Sequence, residues 1–133
     1  MTDRFFDTNV LLYLLSPDRR KAEIARTLVA RGGTISVQVL GELTNVARRK
    51  AGLEIDEIAA LTGTLRDLLD VVPMTEEIFD GALQVARQTG YATFDCLIVS
   101  AALSSGARSL YTEDMQAGRE IGGLKLINPF EER

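Results

Sequence analysis

The sequence contains no histidine and only one cysteine, and both facts limit the chemistry available to it. Without histidine there is no Ser-His-Asp triad and no histidine-ligated zinc site. Cys96 has no partner for an internal disulfide and no histidine to activate it, which favours a buried structural thiol over a nucleophile. Any metal site must therefore use oxygen ligands, and such sites favour Mg²⁺ or Mn²⁺.

Long apolar runs and targeting signals are also missing. No apolar run reaches the length that spans a bilayer, and residues 1–15 lack the basic start and the small-residue cleavage site of a signal peptide. We therefore expect a cytoplasmic protein with no membrane partner. The 133 residues suit one domain over 1–133, with a solvated tail from about residue 131.

Basic residues are outnumbered, with 15 basic and 19 acidic side chains giving a net charge of −4. This balance argues against a passive nucleic-acid binder, because such proteins usually carry a basic surface. It permits an enzyme whose acids are gathered in one metal site.

Strand and helix patterns alternate along the chain, which predicts an α/β fold with a parallel sheet covered by helices on both faces. Short runs rich in β-branched or aromatic residues predict five strands, at Arg4–Phe6, 34–37, 70–73, Ser109–Tyr111 and 125–127. Apolar positions at helical spacing predict helices over 10–15, 18–31, 38–50, 54–69, 75–88 and 93–105. One helical turn is predicted at 115–117.

Four acids fall at matching places in this alternation. Asp7 directly follows the first strand, and Glu42 lies on the helix after the second strand. Asp95 lies in the first turn of the helix before the fourth strand. Asp114 follows that strand, with Glu113 beside it as the alternative fourth acid. Since the carboxyl ends of parallel strands share one edge of the sheet, we expect these acids to converge there.

Each acid also has a purely structural interpretation. Asp7 and Asp114 could cap the helices that follow them, Glu42 could be a solvated helix residue, and Asp95 could complement the helix dipole. Asp95, however, projects within the apolar arc that begins at Phe94. A carboxylate on that face needs a partner, because a buried unpaired charge is costly.

Taken together, the four acids favour a divalent metal site over four separate structural roles. No lysine or arginine closely follows any of them at the same edge. Such a group of like charges repels itself unless a cation lies among them. One or two ions held there would suit phosphodiester chemistry.

The same segments resemble a known family. Four of them, in order, resemble PIN domains: residues 6–12 (FDTNVLL), 36–43 (SVQVLGEL), 94–102 (FDCLIVSAA) and 110–115 (LYTEDM). The ending at 127–130 (INPF) is typical of the small VapC-type toxins. The resemblance covers nearly the whole chain, and it shows no departure at the acidic positions.

This resemblance implies a three-layer α/β/α fold with a five-stranded parallel sheet in the order 3-2-1-4-5. Strands 1 and 4 would then be neighbours, which would place Asp7 beside Asp114. The resemblance also implies a Mg²⁺- or Mn²⁺-dependent ribonuclease that acts on RNA. Such proteins are usually homodimers paired with a VapB-type antitoxin.

On this hypothesis the acids act as catalytic metal ligands in the hydrolysis of RNA. Asp7, Asp95 and Asp114 are expected to bind metal directly, and Glu42 directly or through water. Two further groups, Asn9 and Thr112, are expected to orient water or phosphate.

Three other function classes stay open at this point. A haloacid dehalogenase-like phosphatase also begins with an aspartate at a strand end, but needs a second aspartate where this chain has Asn9. A phospho-receiver domain needs a lysine after the last strand, where Asn128 and Pro129 stand. A non-catalytic interaction module with the PIN fold is the main alternative, although an intact set of acids counts against it.

Overall fold

The computed structural model describes residues 3–131. Its strands are β1 (Arg4–Phe6), β2 (Thr34–Ser36), β3 (Asp70–Val72), β4 (Ser109–Tyr111), β5 (Glu120–Ile121) and β6 (Leu124–Ile127). They form one sheet in the order β3-β2-β1-β4-β6-β5. All neighbouring strands are parallel except β5 and β6. The predicted five-stranded parallel sheet in the order 3-2-1-4-5 is therefore confirmed, with β6 as its fifth strand.

The short strand β5 was not predicted. It pairs antiparallel with β6 at the edge of the sheet, with Ile121 opposite Leu124. The two residues between them, Gly122 and Gly123, have φ values of 56° and 85°. A tight two-residue hairpin turn needs such left-handed backbone at both central positions, and glycine adopts it without strain. Formation of β5 therefore depends on these two glycines.

The predicted helical turn at 115–117 is wrong. Residues 113–115 form a bend instead, and a turn follows at 117–118. The hydroxyl of Thr112 accepts a hydrogen bond of 3.3 Å from the backbone N–H of Met115, which folds the segment back on itself. The same type of bond, to the N–H three residues later, begins helices at Ser36 and Thr75, but here no helical turn follows it.

Helices occupy the connections between strands. They are α1 (Thr8–Leu12), followed by a 3₁₀ turn at Tyr13–Leu15, then α2 (Arg19–Ala30), α3 (Val37–Arg49), α4 (Ile55–Leu68), α5 (Glu76–Thr89) and α6 (Thr93–Ser104). Side chains accept backbone N–H groups at several of their starts: Asp18 caps α2, Ser36 caps α3 and Thr75 caps α5. These caps satisfy amides that have no partner within the helix. None of the described helices is long and apolar enough to cross a membrane.

The sheet and its flanking helices enclose one apolar core, as expected for the predicted three-layer arrangement. The central strands β1 and β4 supply fully buried side chains, among them Phe5, Phe6 and Leu110. The ring of Phe6 stacks on that of Tyr111, with centroids 5.6 Å apart. Glu131 at the predicted tail is exposed, and residues 132–133 lie outside the described part of the chain.

Gly33 lies against the ring of Phe6, and this position has no space for a larger side chain. A Cβ atom added there would stand 2.4 Å from Cε2 of the Phe6 ring, which is fully buried. We therefore expect Gly33→Ala to lower the free energy of unfolding by about 1–3 kcal/mol, the usual cost of overpacking a core. Chemical denaturation measures it.

The matched control for this substitution is Gly63→Ala in α4. A Cβ atom there would meet nothing within 4 Å. Alanine is the better helix former, so we expect this variant to gain up to about 1 kcal/mol. Equal effects of the two substitutions would show that the contact with Phe6 is not tight.

Candidate active site

Asp7 stands at the carboxyl end of β1, where the chain passes into α1. Its backbone N–H continues the sheet by donating to the carbonyl of Tyr111 at 2.9 Å. Its carboxylate caps α1 by accepting the Thr8 N–H at 2.7 Å, so the structural interpretation of this residue is correct as far as it goes. The side chain also accepts the Thr112 hydroxyl at 2.8 Å and the Asn9 amide at 3.2 Å. Only 5% of the residue is exposed.

Burial sets the electrostatics of this carboxyl. The pKa of Asp7 is raised from 3.8 to about 6, mainly by loss of solvent and to a smaller extent by the charges of Asp95 and Asp114. The hydrogen bonds from Thr112 and Thr8 oppose the shift because they stabilise the carboxylate. A buried acid surrounded by other acids is a functional-site candidate on physical grounds.

Glu42 reaches the same edge from α3. The hydroxyl of Thr8, the residue after Asp7, donates a hydrogen bond of 2.6 Å to Glu42 Oε1. The residue is half-buried rather than solvated. Thr8 therefore ties the start of α1 to the second turn of α3, and it joins two of the predicted acids.

Asp95 approaches from the first turn of α6. It is half-buried, and desolvation raises the pKa of its carboxyl, as do the charges of Asp114 and Glu42. The expected apolar surroundings are only partly present, because Phe94 beside it is 62% exposed. The four predicted acids thus act on one another electrostatically, although they come from four separate segments.

The fourth acid is distinguished from its neighbour by their partners. Glu113 forms an ion pair of 2.5 Å with Lys21 and accepts the Tyr13 hydroxyl at 2.5 Å. Burial alone would raise the pKa of Glu113, but these two hydrogen bonds lower it overall. Asp114 is exposed, and its charge raises the pKa of both Asp7 and Asp95. Asp114, not Glu113, is therefore the residue whose charge acts on the other acids.

Asn9 and Thr112 connect the carboxyl ends of the two central strands. The Asn9 side chain donates to Asp7 and accepts the backbone N–H of Glu113 at 3.1 Å. Thr112 is fully buried, and its hydroxyl donates to Asp7 while accepting from Met115. Both residues lie where the sequence predicted them and orient the segments that carry the acids.

No cation balances these four acids within residues 3–131. The ion pairs there join Lys21 to Glu113 and Arg26 to Glu23, and neither includes Asp7, Glu42, Asp95 or Asp114. As placed, no three acidic or cysteine side chains of the described residues are close enough to hold a metal ion. The donor set itself consists of carboxylate oxygens, which are the ligands that Mg²⁺ and Mn²⁺ prefer.

A protein-family comparison decides the fold family. The model described as PIN domain matches residues 4–119, which include all four acids. The chain belongs to the PIN domain family. The family resemblance of the four sequence segments is thereby confirmed.

Solved structures share this PIN fold over nearly the whole chain. A chain of a toxin–antitoxin complex from Klebsiella pneumoniae is 18% identical with a TM-score of 0.72, covering 97% of this chain and 99% of that chain. A chain of the DNA-bound VapBC complex from Salmonella typhimurium is 20% identical with a TM-score of 0.68, covering 95% and 97%. The VapC20 toxin of Mycobacterium tuberculosis, which cleaves the sarcin–ricin loop, is 20% identical with a TM-score of 0.66, covering 84% and 89%. No curated protein matches the chain significantly.

Two residues of this PIN domain edge, Gln38 and Lys21, were missed by the sequence analysis. Gln38 donates from its amide to the Phe94 carbonyl at 3.2 Å, and its Oε1 is buried without a hydrogen-bond partner among the described residues. Its position four residues before Glu42, on the same face of α3, was a usable signal. Lys21 contacts Glu113 across 92 positions of sequence, so no local pattern could reveal it.

Proposed function

We propose that this PIN domain is a divalent-metal-dependent ribonuclease and the toxin of a VapBC-type toxin–antitoxin pair. The observation that carries the proposal is the convergence of four acids, without a balancing cation in the described residues, at the carboxyl edge of β1 and β4. Ligands of open α/β sheets bind at this switch point, where strand order reverses.

Asp7, Asp95 and Asp114 would hold Mg²⁺ or Mn²⁺ directly, and Glu42 directly or through water. Of these acids Asp7 is buried, Asp95 is half-buried and Asp114 is exposed. When bound, a divalent ion supplies a water of lowered pKa and neutralises charge on the scissile phosphate. The chain needs no histidine for this chemistry.

The neighbouring side chains fix the acids before substrate arrives. Thr8 holds Glu42, while Thr112 and Asn9 hold Asp7, so each of these two carboxylates has one restricted orientation. The carboxylates of Asp95 and Asp114 make no such hydrogen bond within residues 3–131. Asn9 and Thr112 would thus orient the ligands and, through them, a water or phosphate.

RNA and an antitoxin protein are the partners that fit this function. Support comes from the fold: the similar chains include an RNA-cleaving toxin and members of VapBC and FitAB complexes. An antitoxin arginine placed at the acids would form a charge-assisted hydrogen bond with a carboxylate. A homodimer is the expected form of the toxin.

The test is cleavage of total RNA by the purified protein, free of any copurified partner. We expect cleavage with Mn²⁺ or Mg²⁺ and none with EDTA. A phosphate monoester offered in parallel should stay intact, since Asn9 replaces the second aspartate of a haloacid dehalogenase-like phosphatase. Folded protein that cuts no RNA with either metal would favour the non-catalytic interaction module instead.

A further inference from the structure

Both carboxylate oxygens of Glu113 are engaged away from the acids. Oε1 accepts the Tyr13 hydroxyl and Oε2 accepts the Lys21 ammonium, each at 2.5 Å. The Lys21 and Glu113 side chains are only 26% and 24% exposed. The pair is therefore shielded more than an ordinary surface ion pair.

Lys21 is itself held from several directions. Its ammonium donates to the Tyr13 hydroxyl at 3.1 Å and lies 4.7 Å from the centroid of the Tyr13 ring. It also lies 5.5 Å from the ring of Phe130, which packs edge-on against Tyr13. Tyr13, Lys21, Glu113 and Phe130, here called the Lys21 cluster, thus join the 3₁₀ turn, α2, the segment after β4 and the end of the chain.

This cluster fixes the segment that carries Asp114. The backbone N–H of Glu113 donates to Asn9, and the Met115 N–H donates to the buried Thr112 hydroxyl. The residues on both sides of Asp114 are therefore anchored. Asp114 itself is exposed, and its carboxylate takes part in no hydrogen bond or ion pair within residues 3–131.

We propose that the Lys21 cluster is a positioning device, which holds Glu113 outside the metal site so that Asp114 is presented to it. The inference rests on the proposed metal site. Because Glu113 and Asp114 are adjacent, holding the Glu113 side chain also fixes the backbone that carries Asp114. Lys21 and Tyr13 act through Asp114 and would not touch metal or substrate.

The test removes the ion pair without changing the net charge, in the double variant Lys21→Met with Glu113→Gln. Losing only Lys21 would alter the potential at the site, and the paired change avoids this. Outer groups that orient metal ligands typically contribute 10–100-fold to affinity. We expect the Mn²⁺ dissociation constant of the RNA-free protein, measured by calorimetry, to rise by about 10-fold or more.

Three comparisons make the result specific. Removing the exposed pair on the same helix, with Arg26→Met and Glu23→Gln, should leave Mn²⁺ affinity unchanged. Lys21→Arg, which keeps the ion pair, should retain affinity within about threefold. In an Asp114→Asn background, the double variant should cost no further affinity, because the group it positions is gone. Circular dichroism checks that every variant is folded.

The outcomes separate this inference from the function on which it rests. If Asp114→Asn weakens Mn²⁺ binding but the double variant does not, the positioning role is wrong and the metal site stands. An equal loss in the wild-type and Asp114→Asn backgrounds would indicate general damage and would also overturn it. If neither Asp7→Asn nor Asp114→Asn alters Mn²⁺ binding, the metal site is wrong and the inference falls with it.

Discussion

Replacing Asp7 by Asn is expected to reduce metal-dependent RNA cleavage by more than about 100-fold. Groups that merely orient a metal ligand cost 10–100-fold when lost, and Asp7 is proposed as a ligand itself. Asparagine keeps the size of the side chain and one oxygen for the cap on Thr8. The loss should therefore come from the missing negative charge and appear in the rate at saturating RNA and Mn²⁺.

The matched control is Asp70→Asn. Asp70 is an exposed acid of the same sheet, at the start of β3 and so at the opposite edge. The Asp70→Asn substitution removes the same charge from the chain without changing any of the four acids, and we expect full activity. If Asp7→Asn cleaved RNA at the wild-type rate, the assignment of Asp7 would be contradicted.

The same Asp7→Asn change is expected to stabilise the metal-free protein at neutral pH. Burial holds the pKa of Asp7 at about 6 in the folded state, against 3.8 for an ordinary aspartate. Below pH 3.8 the carboxyl is protonated in both states and carries no penalty. As the pH rises from about 4 to about 6, the unfolded chain releases this proton while the folded protein keeps it, so the free energy of unfolding falls.

This contribution amounts to about 3 kcal/mol above pH 6, at 1.36 kcal/mol per pKa unit. Asparagine escapes it but loses the two hydrogen bonds that Oδ2 accepts from Thr112 and Asn9, at about 1 kcal/mol each. We therefore expect a net gain of about 1 kcal/mol at pH 7. Denaturation in EDTA between pH 4 and pH 8 measures the difference between variant and wild type.

Taking the difference removes the contributions of the other titrating groups. The difference in the free energy of unfolding, Asp7→Asn minus wild type, should rise from pH 4 to pH 6 and then stay constant. A variant that is less stable than wild type at pH 7, or a gap that does not change with pH, would show that the Asp7 carboxylate is not under this strain. A gain in stability with a loss of activity is the combination expected of a functional group in a costly environment.

The positions of the strands were predictable because each strand is a short run bounded by helical patterns, whereas the order of the sheet came from the family resemblance. Arg4–Phe6 and Ser109–Tyr111 are found at the predicted positions and pair in register. β5 was not predictable from apolar pattern, since it has two residues and depends on the turn at Gly122 and Gly123. The predicted helical turn at 115–117 is absent, although Thr112 makes the same type of hydrogen bond that begins α3 and α5.

The site was predictable only to the level of its acids. The carboxyl ends of parallel strands share one edge of the sheet, so the sequence could predict that Asp7 and Asp114 lie close together. Which of the neighbours Glu113 and Asp114 is free to join the other acids depends on Lys21. This lysine is distant along the chain and contacts Glu113 only after folding. The exposure of Phe94, on the otherwise apolar helix α6, likewise depends on which neighbours cover each face.

The most direct test of the central claim is anomalous diffraction from crystals of the protein soaked in Mn²⁺. The account predicts an anomalous peak at the carboxyl edge of β1 and β4, bound by Asp7, Asp95 and Asp114, with Glu42 coordinating it directly or through water. Glu113 should stay paired with Lys21. The absence of a peak at this edge, or an ion bound by Glu113 in place of Asp114, would contradict the account.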